Sequence, residues 1–384
     1  MTSIIKVDQI QSSDGKTVHL KDGELLNINK ISTKNLDIQS PEAPDIPVTG
    51  QIYYNTTLKS FLVYNGSAWI TIQTTTTGGI ENFYEDSTGR FKVHTFLKSG
   101  TFVADRSIDV DVLIVAGGGG GGGPYHAAGG GAGGFVYYSS KNIDAGSHTV
   151  TVGDGGRGGI VSSLGAGDAT KAGANGSSST FGTLTSAVGG GGGGTYSQFS
   201  SWDGGSGGGE PGNGNVSSGL ATYGGFGNGT TNQGNNGGKT WGTTWSGGGG
   251  GGGASEVGGN GYSNQANQNG CHGGKGGDGY QEGTSTVYNF TTGTTTTFHI
   301  NGLGKYYAGG GGGSNGRWEH IGAHHGKGGK GGGGQGTNQI GGDAEENTGG
   351  GGGGGERGQD TFDGSQTSDG GKGGSGIVIV RYAV

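Results

Sequence analysis

The chain has 384 residues, of which 104 are glycine and only 5 proline, and its formal net charge is −7. Hydrophobic residues make up 28%, so the side-chain core is small and backbone contacts must carry much of the packing. Charges of both signs are scattered without a basic stripe, which argues against nucleic-acid binding, and the lone cysteine, Cys271, excludes an intrachain disulfide frame.

Residues 1–40 read as short extended pieces, such as Ile4-Ile5-Lys6-Val7 and Thr17-Val18-His19-Leu20, too poor in apolar residues to hold a core alone. This stretch is expected to be an attachment or oligomerisation segment. It contains no apolar stretch that reads as an export signal, and no segment of the chain reads as spanning a membrane. Pro41, Pro44 and Pro47 form a stiff connector. A small β-hairpin domain and a polar linker over 74–79 complete the region 41–79: Gln51-Ile52-Tyr53-Tyr54, Phe61-Leu62-Val63-Tyr64 and Trp69-Ile70-Thr71-Ile72 alternate as strands, with an Asn65-Gly66 turn.

Residues 80–384 are expected to form one glycine-rich domain. Phe91-Lys92-Val93-His94-Thr95-Phe96 is expected to pair as a hairpin with Gly100-Thr101-Phe102-Val103. Val110-Asp111-Val112-Leu113-Ile114-Val115 passes from alternation to continuous apolarity, the pattern of a central strand. Ile377-Val378-Ile379-Val380 is its counterpart at the far end, and the two are expected in one sheet that closes the domain over 376–383. Further strand signals fall at 135–138, 148–152 and 180–184, so the β base is placed over 80–188.

Between the two apolar strands, over 117–376, glycine runs keep a register of three. Asp154, Arg157 and Ile160 are three apart, as are Lys275 and Asp278, and Lys327 and Lys330. A flexible linker has no reason to keep this register, and collagen would need far more proline. A polyproline II-type helix has three residues per turn, so every third side chain lines one face. The runs are read as polyglycine II helices packed side by side, with Gly118, Gly155, Gly191, Gly248, Gly274, Gly311 and Gly352 as scaffold positions and the third-position charges on a solvated face. The expected fold is an all-β N-terminal fibre segment, then a β-sheet base with a polyglycine II sandwich, and essentially no α-helix.

Two stretches carry a family resemblance. Ile5-Lys6-Val7-Asp8-Gln9-Ile10-Gln11-Ser12 and the hairpin Gly50-Gln51-Ile52-Tyr53-Tyr54-Asn55 through Tyr64-Asn65-Gly66-Ser67-Ala68-Trp69 resemble the start of bacteriophage fibre proteins. Val112-Leu113-Ile114-Val115-Ala116 followed by polyglycine, Gly131-Ala132-Gly133-Gly134-Phe135, Tyr306-Tyr307-Ala308-Gly309-Gly310 and Gly374-Ser375-Gly376-Ile377-Val378-Ile379-Val380-Arg381-Tyr382 resemble the glycine-rich domain of phage tail fibres and, more distantly, T-even-like distal adhesins. The resemblance implies a virion-borne, extracellular homotrimer joined to other virion proteins through its N-terminus. It further implies loops between glycine helices that bind a bacterial surface glycan or outer-membrane protein.

Aromatic clusters between the runs are the candidate receptor-binding residues: Tyr196, Phe199, Trp202, Trp241, Trp245, Tyr288, Phe290, Trp318 and His320. Exposed aromatics dominate binding surfaces; the competing reading is that they lie as lids on the glycine layer. Loops after alternate runs of an antiparallel array emerge at one end, so several clusters are expected to share a tip. Cys271, His272, His320, His324 and His325 lack the ligand spacing of a metal site. The loop carboxylates Asp203, Glu210, Glu319, Glu345 and Glu346 form no pairing that reads as catalytic. No enzyme activity, cofactor or metal is assigned. A structural virion fibre and, further off, a glycan depolymerase are the competing functions.

Overall fold

A computed structural model of the chain describes residues 47, 49–55, 60–71, 76–160, 171–195, 202–212, 225–241, 246–263, 271–316, 324–356 and 368–384. The chain divides into two compact units, residues 1–73 and 74–384. Among the described residues of the first unit, β1 (Ile52–Asn55), β2 (Ser60–Tyr64) and β3 (Trp69–Thr71) form the expected antiparallel meander. The Asn65 side chain accepts the Ser67 and Ala68 N–H groups at 3.0 and 2.9 Å, which closes the turn into β3. The segment 1–40 and the side chains of Tyr53 and Tyr54 lie outside the described residues.

The second unit opens with β4 (Ile80–Asp86), β5 (Gly89–Phe96), β6 (Gly100–Ala104) and β7 (Ile108–Val115). After the first glycine run come β8 (Phe135–Ile143), β9 (Gly146–Thr151) and β10 (Thr180–Phe181). The short strands β11 (Thr240–Trp241), β12 (Gly261–Ser263) and β13 (Cys271–His272) interrupt the array. Then follow β14 (Tyr280–Gln281), β15 (Thr286–Asn289), β16 (Thr294–Thr297), β17 (Tyr306–Tyr307) and the last strand, β18 (Ile377–Ala383). No α-helix occurs among the described residues.

One seven-stranded sheet has the order β16-β15-β8-β7-β18-β5-β4, so β7 is central and β18 lies antiparallel beside it, with Ile377 opposite Val115. Both faces of this sheet are covered, which is why these strands are apolar without interruption. Val112, Ile114, Val378 and Val380 face one core with Phe96, Phe102 and Phe181; Leu113, Val115, Ile377 and Ile379 face another with Val287, Phe298, Ile300 and Tyr307. Full burial of each such side chain contributes about 1.5–3 kcal/mol.

Three expectations are corrected. β5 and β6 do not form a hairpin: β5 pairs with β4 and β18, while β6 pairs with β9 in a separate β10-β9-β6 sheet. The two strands instead face each other across a core, where Phe96 and Phe102 are both buried. The β base is not confined to 80–188, because residues 280–307 supply two further strands of the large sheet and its second core. The segment 76–79 is not a free linker. Thr76 is buried and its hydroxyl donates to Asp105 at 2.7 Å, and Thr77 pairs with Val103.

The glycine runs bond with a period of three. In run 117–123, the N–H groups of Gly117, Gly120 and Gly123 donate to Ser177, Ala174 and Lys171; those of Gly118 and Gly121 to Gly374 and Gly371; and those of Gly119 and Gly122 to Gly131 and Ala128. Three further runs donate back: Gly156 and Gly159, Gly190 and Gly193, and Gly352 and Gly355. One helix thus touches six neighbours, three antiparallel and three parallel. No residue of 117–123 has a positive φ, as a left-handed three-residue helix requires. At about 3.1 Å per residue such a run spans roughly 20 Å. Only glycine allows the approach: a Cβ on Gly118 would lie 2.0 Å from the Gly350 carbonyl oxygen, and one on Gly155 1.8 Å from that of Gly373.

Outer runs show the same period in side-chain exposure. Asp154, Arg157 and Ile160 are exposed, as are Lys275, Lys327 and Lys330, while Asp278 is half-buried. In run 128–134 the third position is internal, and Ala132 is fully buried because that helix too is enclosed by neighbours.

Candidate functional site

The turn 124–126 caps the first run at the end of the array away from β7. Tyr125 and His126 adopt left-handed φ of 70° and 55°, which reverses the chain sharply. The ascending runs stop beside this turn. Thr195 Oγ1 donates to Pro124 O at 2.6 Å, Gly212 N to His126 O at 2.8 Å, and His126 N to Glu356 Oε2 at 2.5 Å.

Here β11, β12 and β13 form a small sheet, extended by a bridge between His272 and His324. Its register places Trp241 beside Tyr262, Tyr262 beside His272 and His272 beside His324. Residues paired directly across strands share a face, so these four side chains form a row. Trp241 is 61% exposed and Tyr262 47%. Tyr262 stacks on His272 with centroids 4.5 Å apart, and His272 lies 5.4 Å from His324. Burial, and then the neighbouring His324, hold His272 below the usual histidine range, so the ring is neutral near pH 7 and offers an uncharged face. Two residues before Trp241, Lys239 Nζ lies 5.0 Å from the Phe226 ring centre.

Trp202 is 41% exposed and lies alongside run 188–194, its backbone N–H donating to Gly192 O at 3.2 Å. One run separates it from the strand that carries Trp241: Gly227 donates to Gly208, and Gly237 to Gly227. Tyr196, Phe199, Trp245, Trp318 and His320 lie outside the described residues. Tyr288 and Phe290 are not at this end. Tyr288 belongs to β15, and Phe290 packs on Tyr138 against the base core, with centroids 5.7 Å apart. The aromatic pattern grouped these two as a cluster, but Tyr288 lies within β15 itself, Thr286-Val287-Tyr288-Asn289, and the pairing of that short strand with β8 holds both at the base.

Tyr262, His272 and His324 were not singled out as binding residues by sequence spacing, because their proximity depends on pairing between separate runs. Among the described residues, no three His, Cys, Asp or Glu side chains converge as metal ligands. Glu210 is not a loop carboxylate. It is buried, accepts the Thr240 N–H at 2.9 Å, and burial raises its carboxyl above the ordinary range. Asp203 caps the Asn228 N–H at 2.6 Å.

Residues 97–293 match the glycine-rich domain family. The chain belongs to this family. The matched stretch of the glycine-rich domain runs from the turn after β5 through β15, and β18 with the runs beyond 306 completes the same compact unit. No curated relative matches the chain.

Proposed function

We propose that this protein is a bacteriophage tail fibre whose glycine-rich domain is a non-enzymatic receptor-binding adhesin. It recognises a bacterial surface glycan or outer-membrane protein. The observation that supports this reading most is the row Trp241, Tyr262, His272 and His324, exposed at all but the half-buried His272, at the end where the ascending runs stop. A scaffold whose central glycines tolerate no Cβ holds that row in place, whatever residues lie between the runs. Aromatic faces and tips of this kind anchor both sugars and protein surfaces. On this reading the N-terminal segment trimerises and joins the virion, and the protein is extracellular as part of the particle.

The test is binding of purified protein to candidate host cells, with Trp241→Ala and Tyr262→Ala as variants. Wild type binds, and each variant loses roughly thirtyfold or more in affinity, because truncation of a central interface aromatic costs at least about 2 kcal/mol. Folded wild-type protein that binds no host cell would leave a structural virion fibre as the better reading.

A further inference from the structure

A second candidate site lies at the opposite end of the domain. β8 belongs to the seven-stranded sheet and β9 to the three-stranded sheet, so the hairpin joining them crosses from one sheet to the other. Gly146, at φ 128°, makes that crossing sharp. Between the hairpin, the turn after β10 and Phe290 lies a cleft of about 450 Å³. Cavities of about 300–1,000 Å³ are the size that holds small molecules.

The walls of the cleft have two characters. Tyr138 and Phe290 form one aromatic side, and His148 stacked on Phe181 forms another, with centroids 5.6 Å apart and planes within 10°. Lys141, Asp144 and Thr183 line the same space. Several polar groups here already have partners. Tyr138 Oη accepts the Thr185 N–H at 2.9 Å, and His148 Nε2 is bonded to Asp144 O at 2.9 Å. The ring orientations are therefore set. Among the described residues, neither the Lys141 ammonium nor the Asp144 carboxylate has a side-chain partner in a hydrogen bond or ion pair.

We propose that this cleft binds a saccharide unit of one or two rings. The lining carries one cation and one anion, so neither an anionic nor a cationic ligand is favoured by net charge. An apolar ligand would desolvate both charges without pairing them, which is costly. A sugar satisfies both: its hydroxyls donate to Asp144 and accept from Lys141. Its C–H face, slightly positive, suits the negative face of an aromatic ring. The site is separate from the row at Trp241 and independent of whether that row binds a receptor.

The experiment is saturation-transfer NMR on the full chain with glucose, galactose and N-acetylglucosamine at millimolar concentration, with inorganic phosphate as a competitor. Transfer to at least one sugar is expected. Asp144→Asn and Lys141→Met should each weaken it by roughly tenfold, since each removes a charged hydrogen-bonding partner. Both positions are at the mouth rather than in the core, and a circular-dichroism melt checks that the variants fold. Glu345→Gln, an exposed position outside both the cleft and the row, should leave the signal unchanged. The proposal fails if no sugar shows transfer, if phosphate displaces the sugar, or if Trp241→Ala abolishes a signal that the cleft variants retain.

Discussion

Oε2 of Glu356 accepts the backbone N–H of His126 at 2.5 Å, and the same oxygen accepts the Ser314 hydroxyl at 3.1 Å. One buried carboxylate thus ties together the ends of three runs: 117–123 through its turn, 309–314 and 349–356. A helix without internal hydrogen bonds has no cap of its own, so its end is held by side chains from neighbouring runs. Glu210 does the same for Thr240.

Replacing Glu356 by Gln should therefore destabilise the domain by about 1–3 kcal/mol, the cost of weakening hydrogen bonds to a buried charged group. Glu345, in an exposed pair with Lys305 at 3.4 Å, gives the contrast: Glu345→Gln should change stability by no more than about 0.5 kcal/mol. Urea midpoints of the two variants, compared at equal slope, check this.

Gly121→Ala should disrupt the array. The added Cβ would stand 2.0 Å from the Gly353 carbonyl oxygen, in a helix enclosed by six others, and overpacking without room to relax costs about 3 kcal/mol or more. Gly225 has nothing within 4 Å of such an atom. Gly225→Ala should be neutral or stabilise by up to about 1 kcal/mol, through lower entropy of the unfolded chain. Thermal melts of the two variants should move in opposite directions or leave only the first changed.

The buried ring of His94 stacks on Tyr382 and donates from Nδ1 to Gly78 O at 2.7 Å. Burial holds its pKa below the ordinary 6.5, with Lys92 adding to the effect while the Gly78 carbonyl and Glu81 oppose it. The folded state therefore prefers the neutral ring. Stability from this site is complete above the ordinary histidine range and is lost as pH falls from there toward the depressed folded value. His272 titrates in the same window. Comparison of wild type with His94→Phe isolates His94: between pH 7 and 5 the melting temperature should fall more steeply in wild type. Parallel slopes would show that His94 takes up its proton equally in the folded and unfolded states.

Cys271 is buried, and burial, then the charge of Glu356, push its thiol up to about 11. It should be unreactive in the folded protein at pH 8, because the thiolate is the reactive form. A chromogenic disulfide reagent should titrate about one thiol per chain in denaturant and almost none without it. Rapid reaction in the native state would place Cys271 at an open surface.

Much of the architecture was legible in the chain. The unbroken apolarity of Val112 to Val115 and of Ile377 to Val380 marked strands covered on both faces, and they are neighbours in register. The spacing of Asp154, Arg157 and Ile160 marked a three-residue helix, because a side chain in such a helix reaches solvent only when its whole face does. The partners of β6 were not legible: Gly100 to Ala104 lies close in sequence to β5, and local separation favours a hairpin. The burial of Phe96 and Phe102 in a core between two sheets outweighs that preference.

The sequence by itself determined the texture of this protein. Glycine at successive positions makes close backbone approach possible, and a charge at every third position sets which runs have an outer face. Only the tertiary structure decided which runs are enclosed and which side chains meet at the ends. Each polyglycine helix spends its hydrogen bonds on other runs, up to six of them, and none on itself. The row from Trp241 to His324 is assembled by three strand pairings from segments up to 83 residues apart in number, and no local pattern encodes a contact of that kind.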